Sequence, residues 1–221
     1  MSNPRAAADV KRAEESLEAC KKEHGAETEK TQKSIMNLAF KHRRAEQLEE
    51  AERRYLEVLE LRKRLLGPEH TDTLKVQGLL ALLYEQRNDW HDRALEMYNL
   101  VIAERTKALG EYHKDTITTY RNLGNFLFKC SKHRQASETY AAYFQKVKTV
   151  KGIAHPDTWM ALLCIFNARF FSKLPLNHKI KGAQYKRVIL LLVGTVLWII
   201  LQHFAKEFLG IGKGRPKPSL I

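Results

Sequence analysis

Between residues 31 and 152 of this 221-residue chain, apolar positions recur at intervals of three and four. Ile35, Leu38 and Ala39, with His42 on the same stripe, follow that spacing in one stretch; Leu79, Leu80, Leu83 and Tyr84 follow it in another. Such spacing lines up side chains on one face of an α-helix. The helical stretches come in pairs: 32–47 with 48–67, 74–89 with 90–110, and 117–132 with 133–152. The pattern predicts an all-α chain of helical hairpins. One amphipathic hairpin cannot bury its apolar face alone, but a second hairpin stacked on it can.

The hairpins are separated by nearly the same nine residues. LGPEHTDTL occupies 66–74 and LGEYHKDTI 109–117; a looser KGIAHPDTW occupies 151–159 and a worn HGAETEKTQ 24–32. Glycine and threonine keep an interval of six in each copy: Gly25 to Thr31, Gly67 to Thr73, Gly110 to Thr116, Gly152 to Thr158. The copies are 42, 43 and 42 residues apart, a period that signals a repeat architecture. The motif reads as a helix stop followed by a helix start. Gly67, Gly110 and Gly152 suit a helix end that needs positive φ, and Pro68 follows where a helix cannot continue. Asp72, Asp115 and Asp157 are expected to act as N-caps of the next helix. The recurrent His70, His113 and His155 do not read as a metal ladder. Equivalent atoms in stacked units lie about 8–10 Å apart, whereas zinc ligands lie about 2 Å from one ion.

Small and aromatic residues also recur in register: Leu38-Ala39 with Ala51 and Tyr55, Leu80-Ala81 with Ala94 and Tyr98, Leu123-Gly124 with Ala136 and Tyr140. With the LGxxHxDT(L/I) turn, they make residues 8–171 resemble a tetratricopeptide repeat array of the longer, kinesin-light-chain-like kind. The resemblance implies a right-handed helical-hairpin solenoid, with residues 8–24 as helix B of a missing unit, three full pairs, and 157–171 as a fourth helix A capping the stack. Thr28 and Lys30 replace the histidine and aspartate of the first turn, which predicts a looser first junction. One extra residue near Trp90 sets the second unit apart.

The resemblance further implies that helix A lines a concave face on which a peptide lies, and that Asn37 and Asn122 match residues that clamp its backbone. Leu79 interrupts that row. The neighbouring candidates are Lys33, Phe40 and Arg44; Lys75, Leu82 and Gln86; and Arg121, Asn125 and Lys129. The face is mostly basic with apolar interruptions and fits an acidic, partly hydrophobic peptide. The alternative is a set of ordinary solvated cations on exposed helix faces. Nucleic acid is not the expected partner, because Phe40 is the one aromatic among these candidates and the array's net charge is modest.

Composition changes this picture little for the array and greatly for the tail. The net charge is +13, of which residues from Ser172 onward carry +8 and the first 171 residues only +5. Cys20, Cys130 and Cys164 are scattered and odd in number, with no metal or disulfide spacing, which fits a reducing compartment. There is no phosphate loop, HExxH or GxSxG, and Cys130 near His133 lacks an orienting third group. No enzyme activity, cofactor or metal is expected.

Residues 188–205, VILLLVGTVLWIILQHFA, contain no Lys, Arg, Asp or Glu. A membrane-spanning helix needs about 20 apolar residues, with a range of about 17–25. Lys179, Lys181, Lys186 and Arg187 precede the run, and Lys206, Lys213, Arg215 and Lys217 follow it. With no N-terminal apolar signal and 16 residues after Ala205, the pattern is that of a tail anchor with a cytosolic array. The short span and basic flanks suit the mitochondrial outer membrane, with the endoplasmic reticulum second.

The expectation is therefore an all-α tetratricopeptide-like solenoid with one C-terminal transmembrane helix: half-repeat 1–30, three repeats and a capping helix 31–171, basic linker 172–187, span 188–205 and basic tail 206–221. The expected function is a membrane-tethered scaffold that holds a protein partner. The alternatives are a soluble kinesin-light-chain-like cargo adaptor or a fragment of a larger signalling receptor.

Overall fold

A computed structural model describes residues 4–173. Contacts divide the chain into two units, Met1–Arg169 and Phe170–Ile221. Only the first four residues of the second unit are described, and the expected span at 188–205 lies outside the described residues. Eight α-helices follow one another: α1 Pro4–His24, α2 Glu29–Arg44, α3 Leu48–Leu66, α4 Thr71–Tyr84, α5 His91–Leu109, α6 Lys114–Lys129, α7 His133–Lys151 and α8 Pro156–Lys173. Each helix from α1 to α6 packs on the next. Helices α2, α4, α6 and α8 hold the helix-A position, and α1, α3, α5 and α7 the helix-B position.

The turn motif works through two side chains. The threonine hydroxyl donates to the carbonyl of the glycine six residues earlier, at 2.6 Å for Thr31, 2.8 Å for Thr73, 3.0 Å for Thr116 and 2.7 Å for Thr158. This bond ties the end of each helix B to the start of the next helix A. Gly25, Gly67, Gly110 and Gly152 have φ between 82° and 93°, a region open to glycine at little cost.

The caps correct the sequence expectation. The N-cap residue is the histidine, not the aspartate. The backbone N–H of Asp72, Asp115 and Asp157 donates to Nδ1 of His70, His113 and His155 at 3.2, 3.2 and 3.1 Å. Each ring therefore carries its proton on Nε2. The aspartates fall inside the first helical turn, where a carboxylate suits the helix dipole. The first junction is closed in the same way despite its worn sequence: Thr28 Oγ1 accepts from the Thr31 N–H at 3.3 Å.

Within each hairpin the return is tight. Glu46 and Ser131 take φ of 61° and 60° in the short α2–α3 and α6–α7 turns. The second hairpin uses its extra residue in a 3-10 turn, Asn88–Trp90, instead. There Arg87 lies 4.4 Å from the Trp90 ring centroid, and Arg93 lies 4.4 Å from the ring of Tyr84. The Tyr84 hydroxyl donates to Glu52 of α3 at 2.9 Å. Burial, with that carboxylate beside it, pushes the phenol up to about 12.

The core repeats with the sequence. Ala39, Ala81 and Gly124 are buried on helix A, and Tyr55, Tyr98 and Tyr140 on helix B. Gly124 is obligatory, since a Cβ there would stand 2.6 Å from Tyr140 Cε1. Ala13 takes the tyrosine place in α1, twelve residues before Gly25, and is buried with Val10 and Leu17. Helix α8 seats Ala161 against Tyr143 and Val147. Its counterpart of Ala39, Ala81 and Gly124, each eight residues after the motif threonine, is Phe166, which is 45% exposed. A helix B of the preceding kind would meet a phenyl ring there instead of a small residue.

Replacing His113 by Ala should lower unfolding stability by about 1 kcal/mol through loss of the cap acceptor, while His113→Asn should stay within a few tenths of wild type. Urea denaturation of both variants tests this. Equal losses would mean that the ring acts through packing and not as an acceptor.

Candidate functional site

Counting from the motif threonine aligns the helix-A faces. Lys33, Lys75 and Thr118 are equivalent; so are Met36, Gly78 and Arg121; Asn37, Leu79 and Asn122; and Phe40, Leu82 and Asn125. Arg44, Gln86 and Lys129 close the row. Arg121 is thus not the third member of the Lys33–Lys75 series but stands one helical turn further on.

Of the predicted residues, Leu82 and Asn122 are half-buried and the rest are exposed. Lys75, Leu82 and Asn122 come together in one cleft of about 380 Å³, whose walls also include Met36 of α2, Gly78 and Leu79 of α4, Tyr98 and Arg105 of α5, and Thr118 and Thr119 of α6. Arg121 lines a second pocket of about 170 Å³, and Thr118 belongs to both. Lys33, Asn37, Phe40, Arg44, Gln86, Asn125 and Lys129 line neither.

The basic face is less free than its sequence implies. Lys33 pairs with Glu29 at 2.6 Å and Lys75 with Asp72 at 2.7 Å, each within its own helix. These contacts hold both carboxyls below the usual carboxylate range, first through the hydrogen bond from the lysine. Lys129 donates to the carbonyl of Glu85 at 3.4 Å. Arg43 and Arg44 lie 5.3 and 6.0 Å from the exposed Phe40 ring. The Asn125 side-chain oxygen accepts from the Tyr140 hydroxyl at 2.8 Å and serves the hairpin itself.

Sequence reasoning missed the residue at the bottom of the cleft. Arg105, on helix B, reaches between α4 and α6 and donates to the carbonyls of Leu74 at 3.1 Å and Asp115 at 2.9 Å and to Thr119 Oγ1 at 2.8 Å. Arg62 does the same one unit earlier, to the carbonyl of Asp72 at 2.7 Å and to Gln32 Oε1 at 3.3 Å. Burial pulls both guanidinium groups below their ordinary value. The signal was present, since both arginines stand five residues before the motif glycine. Gly78 makes room for Arg105: a Cβ there would lie 2.9 Å from its Nη2. The cleft is therefore lined by Met36, Leu79 and Leu82 and by a cation whose two terminal nitrogens are already bound.

The Cys130 sulfur lies 3.4 Å from Nδ1 of His91, on α5. Burial raises the thiol pKa, which disfavours the thiolate a nucleophile requires. His70, His113 and His155 commit Nδ1 to their caps. Among the described residues, no group of His, Cys, Asp or Glu is arranged to hold a metal ion, and no helix is long and apolar enough to cross a membrane.

Comparison with known proteins agrees with this geometry. Residues 30–103 match the family profile described as tetratricopeptide repeat. The nearly identical TPR-like repeats of a Podosopora anserina protein named for kinesin light chain share the fold with a TM-score of 0.67 and 19% identity, over 93% of this chain and 90% of that one. BtubC (BKLC) from P. vanneervenii matches with a TM-score of 0.60 and 16% identity, over 98% of this chain and 96% of that one. At these identities the likeness speaks for the fold. No curated protein matches the chain in sequence.

Replacing Arg105 by Leu should destabilise the array by about 2–4 kcal/mol, because its carbonyl and hydroxyl partners lose charge-assisted hydrogen bonds. Chemical denaturation measures the loss. A change below about 0.5 kcal/mol, the size of an ordinary surface effect, would show that Arg105 merely fills space.

Proposed function

We propose that this chain, a tetratricopeptide-repeat protein of the kinesin-light-chain-like type, is a scaffold that holds a segment of a protein partner on its helix-A face and is itself held at a membrane by residues 188–205. Tetratricopeptide repeats are protein-interaction modules. The observation that carries the groove reading is the cleft between α2, α4 and α6. It has an apolar floor of Met36, Leu79 and Leu82 and a polar rim that includes Lys75 and Asn122. Such a cleft suits an apolar side chain on an extended segment whose backbone meets polar groups at the rim. Lys114 and Arg121 beside it, with Lys151 paired to Asp157, leave a positive excess that favours an acidic segment.

The membrane part rests on the sequence alone. Eighteen residues without a formal charge, flanked by basic clusters, fit a short bilayer span. The basic linker 172–187 would lie at the headgroups, where each Lys or Arg near anionic lipid contributes about 1 kcal/mol. The array would then face the cytosol from the mitochondrial outer membrane or the endoplasmic reticulum.

Panning a peptide-display library on the full-length protein should enrich acidic segments with an apolar anchor. Such peptides should bind the Lys75→Glu/Arg121→Glu variant at least tenfold more weakly; equal binding to both proteins would sink the groove reading. Alkaline carbonate extraction of fractionated cells tests the anchor. The full chain should stay in the pellet and a chain ending at Arg187 should be released. Release of both would leave a scaffold without a membrane anchor.

A further inference from the structure

Short turns join successive helices, so neighbours run antiparallel and the array has two edges. The edge with the turns inside the hairpins is polar: Glu46, Gln47, Asn88, Asp89, Ser131 and Lys132 stand exposed there. The edge with the turns between hairpins differs. Ten large apolar side chains are exposed among the described residues, and five of them lie within two positions of a motif glycine. They are Leu65, Leu66, Tyr112, Val150 and Ile153, each between 40% and 51% exposed. Apolar tips are thus concentrated on one edge, away from the helix-A groove.

Acidic residues thin out along the same edge. Within three positions of the motif glycine, the first turn holds Glu23 and Glu27, the second Glu69, the third Glu111 and the fourth none. Glu27, Glu69 and Glu111 are each bound by a cation of the next helix B: Arg64, Lys107 and Lys146. Lys151 is bound by Asp157. Lys114 at the start of α6 and Lys148 near the end of α7 are exposed and form no ion pair among the described residues. Beside Tyr112, Val150 and Ile153 the edge therefore carries uncompensated positive charge.

We infer that the edge formed by the third and fourth turns rests on an anionic lipid surface. Tyr112, Val150 and Ile153 enter the headgroup layer, and Lys114 and Lys148 meet lipid phosphates. Apolar tips beside cations on flexible stems are the pairing that binds such an interface, and a tyrosine ring suits the headgroup level. The tips are convex and separate. A rigid protein face covers such tips poorly, whereas a bilayer deforms around each. The inference rests on the membrane reading and adds to it a second contact with lipid, made by the array itself.

The test uses the full chain reconstituted with vesicles of phosphatidylcholine and about one-quarter phosphatidylserine, an anionic surface, with a nitroxide on some of the lipids. An environment-sensitive fluorescent amino acid is placed at position 153 on this edge, 131 on the opposite edge, or 196 in the uncharged run. Emission from position 153 should shift to the blue and be quenched by the nitroxide, and emission from 131 should do neither. The Lys114→Gln/Lys148→Gln variant should dock its edge about 25-fold more weakly, about fivefold for each lysine near an anionic surface. Both lysines and Ile153 are exposed, so the fold should persist. Quenching at 196 but not at 153 overturns the edge and keeps the anchor. Quenching at 153 but not at 196 keeps the edge and overturns the anchor, and quenching at neither overturns both. Equal quenching at 131 and 153 overturns the oriented edge. Quenching at 153 that persists in the variant and on phosphatidylcholine alone overturns the assignment to anionic lipid.

Discussion

The hydrogen bond from the motif threonine to the carbonyl of the glycine six residues earlier recurs at each of the four junctions. It fixes the direction in which each helix A leaves the preceding helix B. Glycine supplies the positive φ that turns the chain, histidine takes a free N–H of the new helix, and threonine closes the loop. None of these contacts is large; a cap is worth about 1 kcal/mol. Their effect is geometric, because the same angle repeated four times lets each hairpin bury the face its predecessor leaves open.

Two further constraints follow from that angle. Small residues at Ala39, Ala81 and Gly124 let helix B close on helix A, and buried tyrosines fill the space between them. Arginines at positions 62 and 105 then cross from helix B to two successive A helices: Arg105 binds the carbonyls of Leu74 and Asp115, and Arg62 the carbonyl of Asp72 and the side chain of Gln32. The array is consistent wherever these parts are all present. It changes where they are not: Phe166 replaces the small residue on α8, and Val147 replaces the arginine on α7.

The helix-A face inherits its chemistry from these substitutions. Gly78 yields its side-chain space to Arg105, which deepens the cleft beside Leu79 and Leu82. Val147 leaves a pocket next to Arg121. A uniform repeat would present a uniform groove; this one is apolar between α4 and α6 and cationic between α6 and α8.

The all-α repeat fold, its period and the helix-ending and helix-starting role of the turn were legible in the sequence because they depend on local spacing. Glycine, histidine and threonine at set intervals act within nine residues of one another. The cap was misassigned to aspartate because His and Asp lie two residues apart and both can accept a hydrogen bond; backbone geometry alone decides which one faces the free N–H. The eleven groove candidates lie on α2, α4 and α6, and only tertiary packing decided which of them meet. Lys75, Leu82 and Asn122 share a cleft because α4 and α6 are neighbours in space, 43 residues apart in the chain. The role of Arg105 was hidden for the same reason, since its partners at Leu74 and Asp115 belong to two other helices. A sequence of this kind determines where helices begin, end and turn. Which side chains are spent on neighbouring helices, and which are left to meet a partner, is decided by the distances between those helices after stacking.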